Sequence, residues 1–447
     1  MPHKKNDRLS QTLRNALRER FKPTSTSDVN QSQDHLGLPP RPAPIKSRKS
    51  SARRGAEDFP EFRRIATYQA VGRRLGIRNP YFLPHEGVAS ATSSIEGHRV
   101  LNFASYNYLG LVEDPRVKQA AKDAIDTYGT SASASRLIGG ERPVQRELEQ
   151  ALADFYGADD AVVFVSGHAT NVTTIGSMFG PGDLVVHDAF IHNSVVEGCR
   201  LSGATRLPFR HNDPQSLVET LAKTRARHKR LLICIEGLYS MDGDTPPLTE
   251  FIKIKERFDG YLMVDEAHSL GVLGERGRGV AELHDADRSG VDLWMGTLSK
   301  TLAGCGGFIA ANQGIVDLLK YSAPGFVYSV GLSPPLAAAS LCALEILCSE
   351  PGRVVRLHQR AREFLNLARH AGVDTGLAEG HAVVPAVIAD SVAAVKLSGK
   401  LLAAGLNVQP IVYPAVEESA ARLRFFITSE HTSEHIQQAV SLLSRNL

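Results

Sequence analysis

A chain of 447 residues that is 43% hydrophobic and 22% charged can bury a large core and is expected to hold two or more domains. Its five cysteines (Cys199, Cys234, Cys305, Cys342, Cys348) show no CxxC pair and no metal-ligand rhythm. No metal is therefore expected, and the thiols read as reduced, in a cytoplasmic protein. No apolar run approaches the ~18 residues that span a bilayer, and the charged N-terminus lacks the apolar stretch of a secretory signal.

The formal charge of +3 conceals an asymmetry: residues 1–56 carry 13 Lys and Arg against 4 Asp and Glu, the rest of the chain 38 against 44. A mildly acidic body argues against a nucleic-acid-binding core. In the basic tail, Leu9, Leu13, Ala16, Leu17 and Phe21 recur at helical spacing and predict one short amphipathic helix. Residues 23–56, with PPRPAP and KSRKSSARR, read as a disordered linker. Residues 57–105 form an N-terminal segment. It has a helix over Glu61–Leu75, the turn-rich stretch NPYFLPHEG and a strand at Val100–Ala104 leading into Ser105-Tyr-Asn-Tyr-Leu-Gly110. A helix over Pro115–Tyr128, the small-residue loop Gly129–Ser135 and a second helix over Pro143–Tyr156, closed by Gly157, follow.

Residues 106–340 read as a large domain. Runs apolar throughout occur at Ala161–Val165, Leu184–Val186, Leu231–Ile235, Tyr261–Val264, Val291–Met295 and Phe308–Ala311. Such runs suit strands covered on both faces, hence a mostly parallel α/β sheet flanked by helices. Ser166-Gly167-His168 joins the first run to a helix over His168–Met178, where free backbone N–H groups would cradle a phosphate. Strand–Gly–helix junctions are common, so this signal is weak alone.

One strand ends in Asp265-Glu266-Ala267-His268, and another leads through Gly-Thr-Leu-Ser to Lys300. An acid and a lysine at the carboxyl ends of neighbouring strands suit pyridoxal phosphate (PLP). The amine forms a Schiff base with its aldehyde, and the acid partners its pyridinium nitrogen. A solvent-facing lysine is the plain alternative. Residues 341–447 read as a smaller α+β domain. A long helical region to Ala371 precedes strands at Val383–Ile388, Val408–Val412 and Arg422–Ile427 and helices over Ser391–Ala404 and from Thr432. Arg422 and Arg424 lie on one side of their strand, where they bind a carboxylate or are merely surface charges.

The stretches ASYNYLGL, YGTSASASR, SGHATN, HDAFIHNSVVEG, HND, EGLYSMDGDTPPL, VDEAHSLGVLGERGRG, GTLSKTLAGCGGFIAA and RLRFFITSEHT lie between about residues 100 and 435. Together they resemble the α-oxoamine synthase family of fold-type-I PLP enzymes, which includes 8-amino-7-oxononanoate synthase, 2-amino-3-ketobutyrate CoA ligase and serine palmitoyltransferase. The resemblance implies that Lys300 carries PLP and acts as acid and base at the substrate carbon. Asp265 would pair with the pyridine nitrogen, His268 would reach the ring oxygen, and His192 would stack on the ring, where a plain loop histidine is the alternative. Gly167, His168, Thr297 and Ser299 would hold the phosphate. Ser240 would face the site or simply shape a turn. Asn107 and Arg424 would bind the amino-acid carboxylate.

A homodimer with shared sites is implied, the segment around Ser329 being donated across the interface. Two departures touch it: many relatives have histidine where this chain has Gln145 and threonine where it has Val330. The implied reaction condenses a small α-amino acid with an acyl thioester, giving an α-amino ketone and CO2. Another fold-type-I PLP enzyme, such as an aminotransferase, is the alternative. For the basic tail, docking of an acidic acyl carrier protein competes with an organellar targeting role and with no role at all.

Overall fold

A computed structural model describes residues 55–447. The expected tail helix at Leu9–Phe21 lies outside the described residues, as does nearly all of the linker. The described residues fall into two compact units, one ending at Arg63 and the other spanning Arg64–Leu447. All three sheets lie in the second.

The strands in chain order are β1 (His85–Glu86), β2 (Thr92–Ile95), β3 (His98–Asn102), β4 (Asp160–Phe164), β5 (Leu184–Asp188), β6 (Thr205–Phe209) and β7 (Leu231–Glu236). They continue with β8 (Tyr261–Asp265), β9 (Leu293–Thr297), β10 (Gly307–Ala311), β11 (Val383–Val387), β12 (Leu406–Asn407), β13 (Gln409–Ile411) and β14 (Arg422–Phe426). The central sheet has seven strands in the order β4-β10-β9-β8-β7-β5-β6. Strands β5 to β9 are mutually parallel, and β10 alone runs antiparallel to its neighbours β4 and β9. The expected α/β sheet is therefore present.

Alternate residues of one strand feed different cores. Ala161 and Val163 of β4 enter the larger core, Val162 and Phe164 the smaller one on the opposite face. This two-sided burial explains why the runs are apolar throughout.

The strand reading missed β1 and β2 of the four-stranded sheet and needed correction at two further places. Thr205–Phe209 escaped notice as a strand because Thr205, Arg206 and Pro208 are exposed at the sheet edge, where charge and proline are tolerated. The run Val408–Val412, read as one strand, is split. Leu406–Asn407 joins β3, while Gln409–Ile411 pairs with β14 in a separate three-stranded sheet. The chain changes sheets at Val408, so a residue more than 300 positions away decides the first partner.

Because β5, β7, β8 and β9 run the same way, Asp188, Glu236, Asp265 and Thr297 end at one edge of the sheet. Below that edge a cation ties two loops together. His211 donates to Asp188 at 2.9 Å and to Asp244 at 2.8 Å, and Phe190 stacks on its ring. Burial opposes its charge, but the two carboxylates overrule burial and raise its pKa from 6.5 to about 10.

A raised folded pKa stabilises below the unfolded value and loses that effect as pH rises through the folded one. Stability from this clamp should be full below about pH 6.5 and fall away between about 6.5 and 10. Thermal unfolding of wild type and His211→Gln at pH 6 and pH 9.5 checks it. The gap between the two proteins should narrow at the higher pH, and a gap independent of pH would count against a charged His211.

Candidate active site

The site begins with Asp265 at the end of β8. Its carboxylate is 4% exposed and accepts two hydrogen bonds, from Asn171 Nδ2 at 2.8 Å and from the Ala267 backbone N–H at 3.0 Å. Asn171 lies four residues after Gly167 on the helix Gly167–Met178, so both face the sheet edge. The second Nδ2 hydrogen of Asn171 goes to Ser194 Oγ at 2.9 Å, and Ser194 Oγ is 2.7 Å from His192 Nδ1.

Since His192 Nδ1 accepts from the Ser194 backbone N–H, the Ser194 hydroxyl donates to it as well. The Ser194 backbone N–H points at the same nitrogen at 3.3 Å. Nδ1 is thus an acceptor, and a neutral His192 carries its proton on Nε2. Desolvation, opposed by Asp265, lowers the His192 pKa, which agrees with the neutral form. The relay Asp265–Asn171–Ser194–His192 fixes the ring that was expected to stack on the cofactor.

Lys300 lies just past β9 and is half-buried. Burial lowers its pKa from 10.5 to about 8, against the pull of Asp265 and Glu236. Among the described residues its amine has no hydrogen bond or ion pair; Tyr106 offers only its ring, 5.6 Å away. His268 shares a 2.7 Å hydrogen bond with Tyr108, and burial keeps its pKa well below 6.5.

At the far end, Ser166 Oγ caps Ala169 N, leaving the Gly167 and His168 N–H groups without a helical acceptor. Thr297 Oγ1 is 2.8 Å from Ser299 Oγ and donates to Gly306 O at 2.9 Å. A Cβ on Gly167 would come within 2.8 Å of Thr297 Oγ1, so only glycine lets the helix start approach this turn.

Of the two candidate arginines, Arg422 is consumed. It pairs with Asp242 at 2.6 Å and donates to Met241 O and Ala420 O. Arg424 donates to Ser240 O at 3.1 Å and to Met241 Sδ at 3.3 Å, while its buried Nε has no partner. Ser240 is buried in the same loop and accepts through its carbonyl. Asn107 is used first as a brace: Nδ2 donates to Ala89 O and Oδ1 accepts from Val112 N, leaving one N–H. Gln145 has a local task, its Oε1 accepting from Arg142 N and its Nε2 donating to Leu332 O at 2.6 Å.

The structure thus gathers Lys300, Asp265, His268, His192 and Arg424 into one electrostatic neighbourhood. Tyr108, Asn171, Ser194 and Glu236 belong to it and were missed. Tyr108 and Ser194 sit inside SYNYLGL and HNS, and the i, i+4 step from Gly167 marks Asn171. Glu236 carried no signal beyond ending an apolar run.

An unpaired amine of lowered pKa, a carboxylate that accepts from two donors, free N–H groups at a helix start and an unpartnered arginine nitrogen all fit PLP and an amino acid. Fold and site define a fold-type-I, PLP-dependent transferase. Residues 98–443 match the family described as aminotransferase class I and II.

Two curated relatives are 8-amino-7-oxononanoate synthase from Symbiobacterium thermophilum, 38% identical over 79% of this chain and 90% of that one, and serine palmitoyltransferase from Sphingobacterium spiritivorum, 35% identical over 82% and 91%. Serine palmitoyltransferase from S. paucimobilis, solved with a bound PLP–myriocin aldimine, superposes with a TM-score of 0.83 at 29% identity, covering 86% of this chain and 97% of that one. The chain belongs to the aminotransferase class I and II family and, within it, to the α-oxoamine synthases. It is a PLP-dependent acyltransferase that condenses an amino acid with an acyl thioester and releases CO2.

Removing Asn171 leaves Asp265 with one donor, and a hydrogen bond to a charge contributes roughly 1.5–3 kcal/mol. Asn171→Ala should weaken PLP binding about 10- to 100-fold in a titration of the apoenzyme followed by visible absorbance. An unchanged affinity would remove Asn171 from the cofactor's support.

Proposed function

We propose that Arg424 selects the amino acid by its carboxylate and that Lys300 handles the proton at its α-carbon. The observation that carries this reading is the contrast between the two arginines: Arg422 is ion-paired with Asp242, while Arg424 has no carboxylate partner and keeps a buried Nε without a hydrogen bond. PLP, when bound through Lys300, draws electron density away from the α-carbon. With a pKa of about 8, the Lys300 amine is partly unprotonated near neutral pH, so it can accept a proton and return it. Neutral His268, oriented by Tyr108, is placed to donate or accept at a ring oxygen.

His192, with Nε2–H outward, covers one face of the site and excludes water. Gly167, His168, Thr297 and Ser299 receive the phosphate. The remaining N–H of Asn107 would add to Arg424, and Ser240 would hold Arg424 through its carbonyl rather than touch substrate.

A second copy of this chain is proposed to complete the site. Tyr328 is 86% exposed, and Val330, on the segment pinned by Gln145, is 48% exposed. Among the described residues no helix is long and apolar enough to cross a membrane, and all five thiols are free, which supports a cytoplasmic setting. The basic tail supports an acidic acyl carrier as thioester donor, by charge.

The test supplies carboxyl-labelled glycine, alanine and serine with a panel of acyl thioesters. Label should leave as CO2 only when a thioester is present; transfer of the amino group to a keto acid without CO2 would favour an aminotransferase. Arg424→Ala should weaken amino-acid binding by on the order of 2–5 kcal/mol and leave PLP affinity within a few-fold. Arg422→Ala should instead cost folding stability, about 3–5 kcal/mol for breaking a buried pair, read as a fall in Tm. Equal losses of amino-acid affinity in both variants would contradict the division of labour.

A further inference from the structure

The sheet edge carries a second buried acid to which the reaction assigns nothing. Glu236 ends β7 in direct register with Asp265 on β8. Adjacent parallel strands are about 4.8 Å apart and in-register side chains share a face, so the two carboxyl groups start as neighbours. Asp265 is furnished as an anion, with an amide and a backbone N–H both donating to it.

Glu236 is not so furnished. It is 4% exposed, and Ser240 N reaches it at 3.4 Å, with the His192 backbone N–H also facing it. Among the described residues it makes no ion pair. Two anions side by side under little solvent repel, and the pair then holds one proton between them. Asp265 has two short donors and Glu236 only a long one, so the proton falls to Glu236.

We propose that Glu236 is a positioning residue, held as a neutral carboxylic acid, that anchors the His192 and Ser240 loops while leaving Asp265 the sole anion opposite Lys300. The proposal rests on the reading of Asp265 and Lys300 as the cofactor site. Around Glu236 the titratable groups are Asp265 on β8, Lys300 after β9, His192 after β5 and Tyr239 on its own loop. Burial first, and Asp265 second, push its pKa well above the usual carboxylate value.

A neutral Glu236 has a consequence for Lys300. Were it ionised, a second anion would hold the ammonium form more firmly. Kept neutral, it leaves Asp265 alone to hold the ammonium form, and the amine loses its proton more readily.

The apoenzyme tests this without turnover. The rate at which acetic anhydride modifies Lys300, followed by mass spectrometry across pH, reports the amine's midpoint. Glu236→Gln preserves shape and removes only the ability to ionise, so its midpoint and rate at pH 7.5 should match wild type within twofold. A rate raised about threefold at that pH, the equivalent of a midpoint one unit below about 8, would mean that Glu236 is an anion and overturns the proposal.

Glu236→Leu keeps a neutral side chain but loses the anchors, and should raise KM for the amino acid about tenfold with a smaller fall in kcat. If Glu236→Gln does not fold, infrared spectra of wild type with 13C-glutamate decide at pH 8.5, where Glu266, titrating near 7, is ionised. A persisting protonated-carboxyl band supports the proposal and its absence refutes it. Loss of PLP binding by wild type itself would instead strike the cofactor reading, a separate result.

Discussion

The buried Asp265 carboxylate is the interaction on which the rest of the site depends. An unpaired carboxylate in that position would be too costly to ionise, and a protonated one could not partner a pyridinium. Asn171 and Ala267 make ionisation affordable locally, and each is supplied by a different element. From Asn171 the same polarity passes through Ser194 to the ring of His192, so the anion also fixes a tautomer some distance away. The parallel strands align these ends, the helix that starts at Gly167 brings the amide, and Gly167 itself is required because any side chain would strike Thr297.

Three histidines show how environment, and not residue type, sets charge. His268 has Tyr108 as its hydrogen-bond partner and feels the cations Lys300 and Arg424, and burial keeps it neutral. His192 sees Asp265, but the hydroxyl and N–H donated to Nδ1 leave it neutral too. His211 is caught between Asp188 and Asp244 and stays charged. The neutral pair lies where a cofactor ring needs hydrogen-bonding faces without added cations. The charged one lies beneath, where two loops need to be held.

The arginines divide in the same manner. Arg422 and Arg424 occupy equivalent sides of β14 and approach the same loop at residues 240–242. Asp242 claims the first completely and turns it into structure. The second inherits a carbonyl, a sulfur contact to Met241 and the face of Phe426, none of which neutralises it. Its residual capacity is what a substrate carboxylate would use.

From the sequence alone, the α/β class, most strands of the central sheet and the placing of Asp265 and Lys300 at neighbouring strand ends were legible, because apolar runs and chemistry-bearing residues are local patterns; His268 and His192 entered through the family resemblance. The helix limits Pro115–Tyr128 and Pro143–Tyr156 were legible for the same reason: proline at the start and glycine after the end are local signals. What the tertiary structure alone decided is pairing. That Leu406–Asn407 completes the sheet of β3, that Thr205–Phe209 is an edge strand, that Arg422 is spent and Arg424 is not, and that Glu236 stands beside Asp265 all depend on residues far apart in the chain. Charge state and hydrogen-bond capacity are properties of a neighbourhood, and the neighbourhood exists only once the strands are in register.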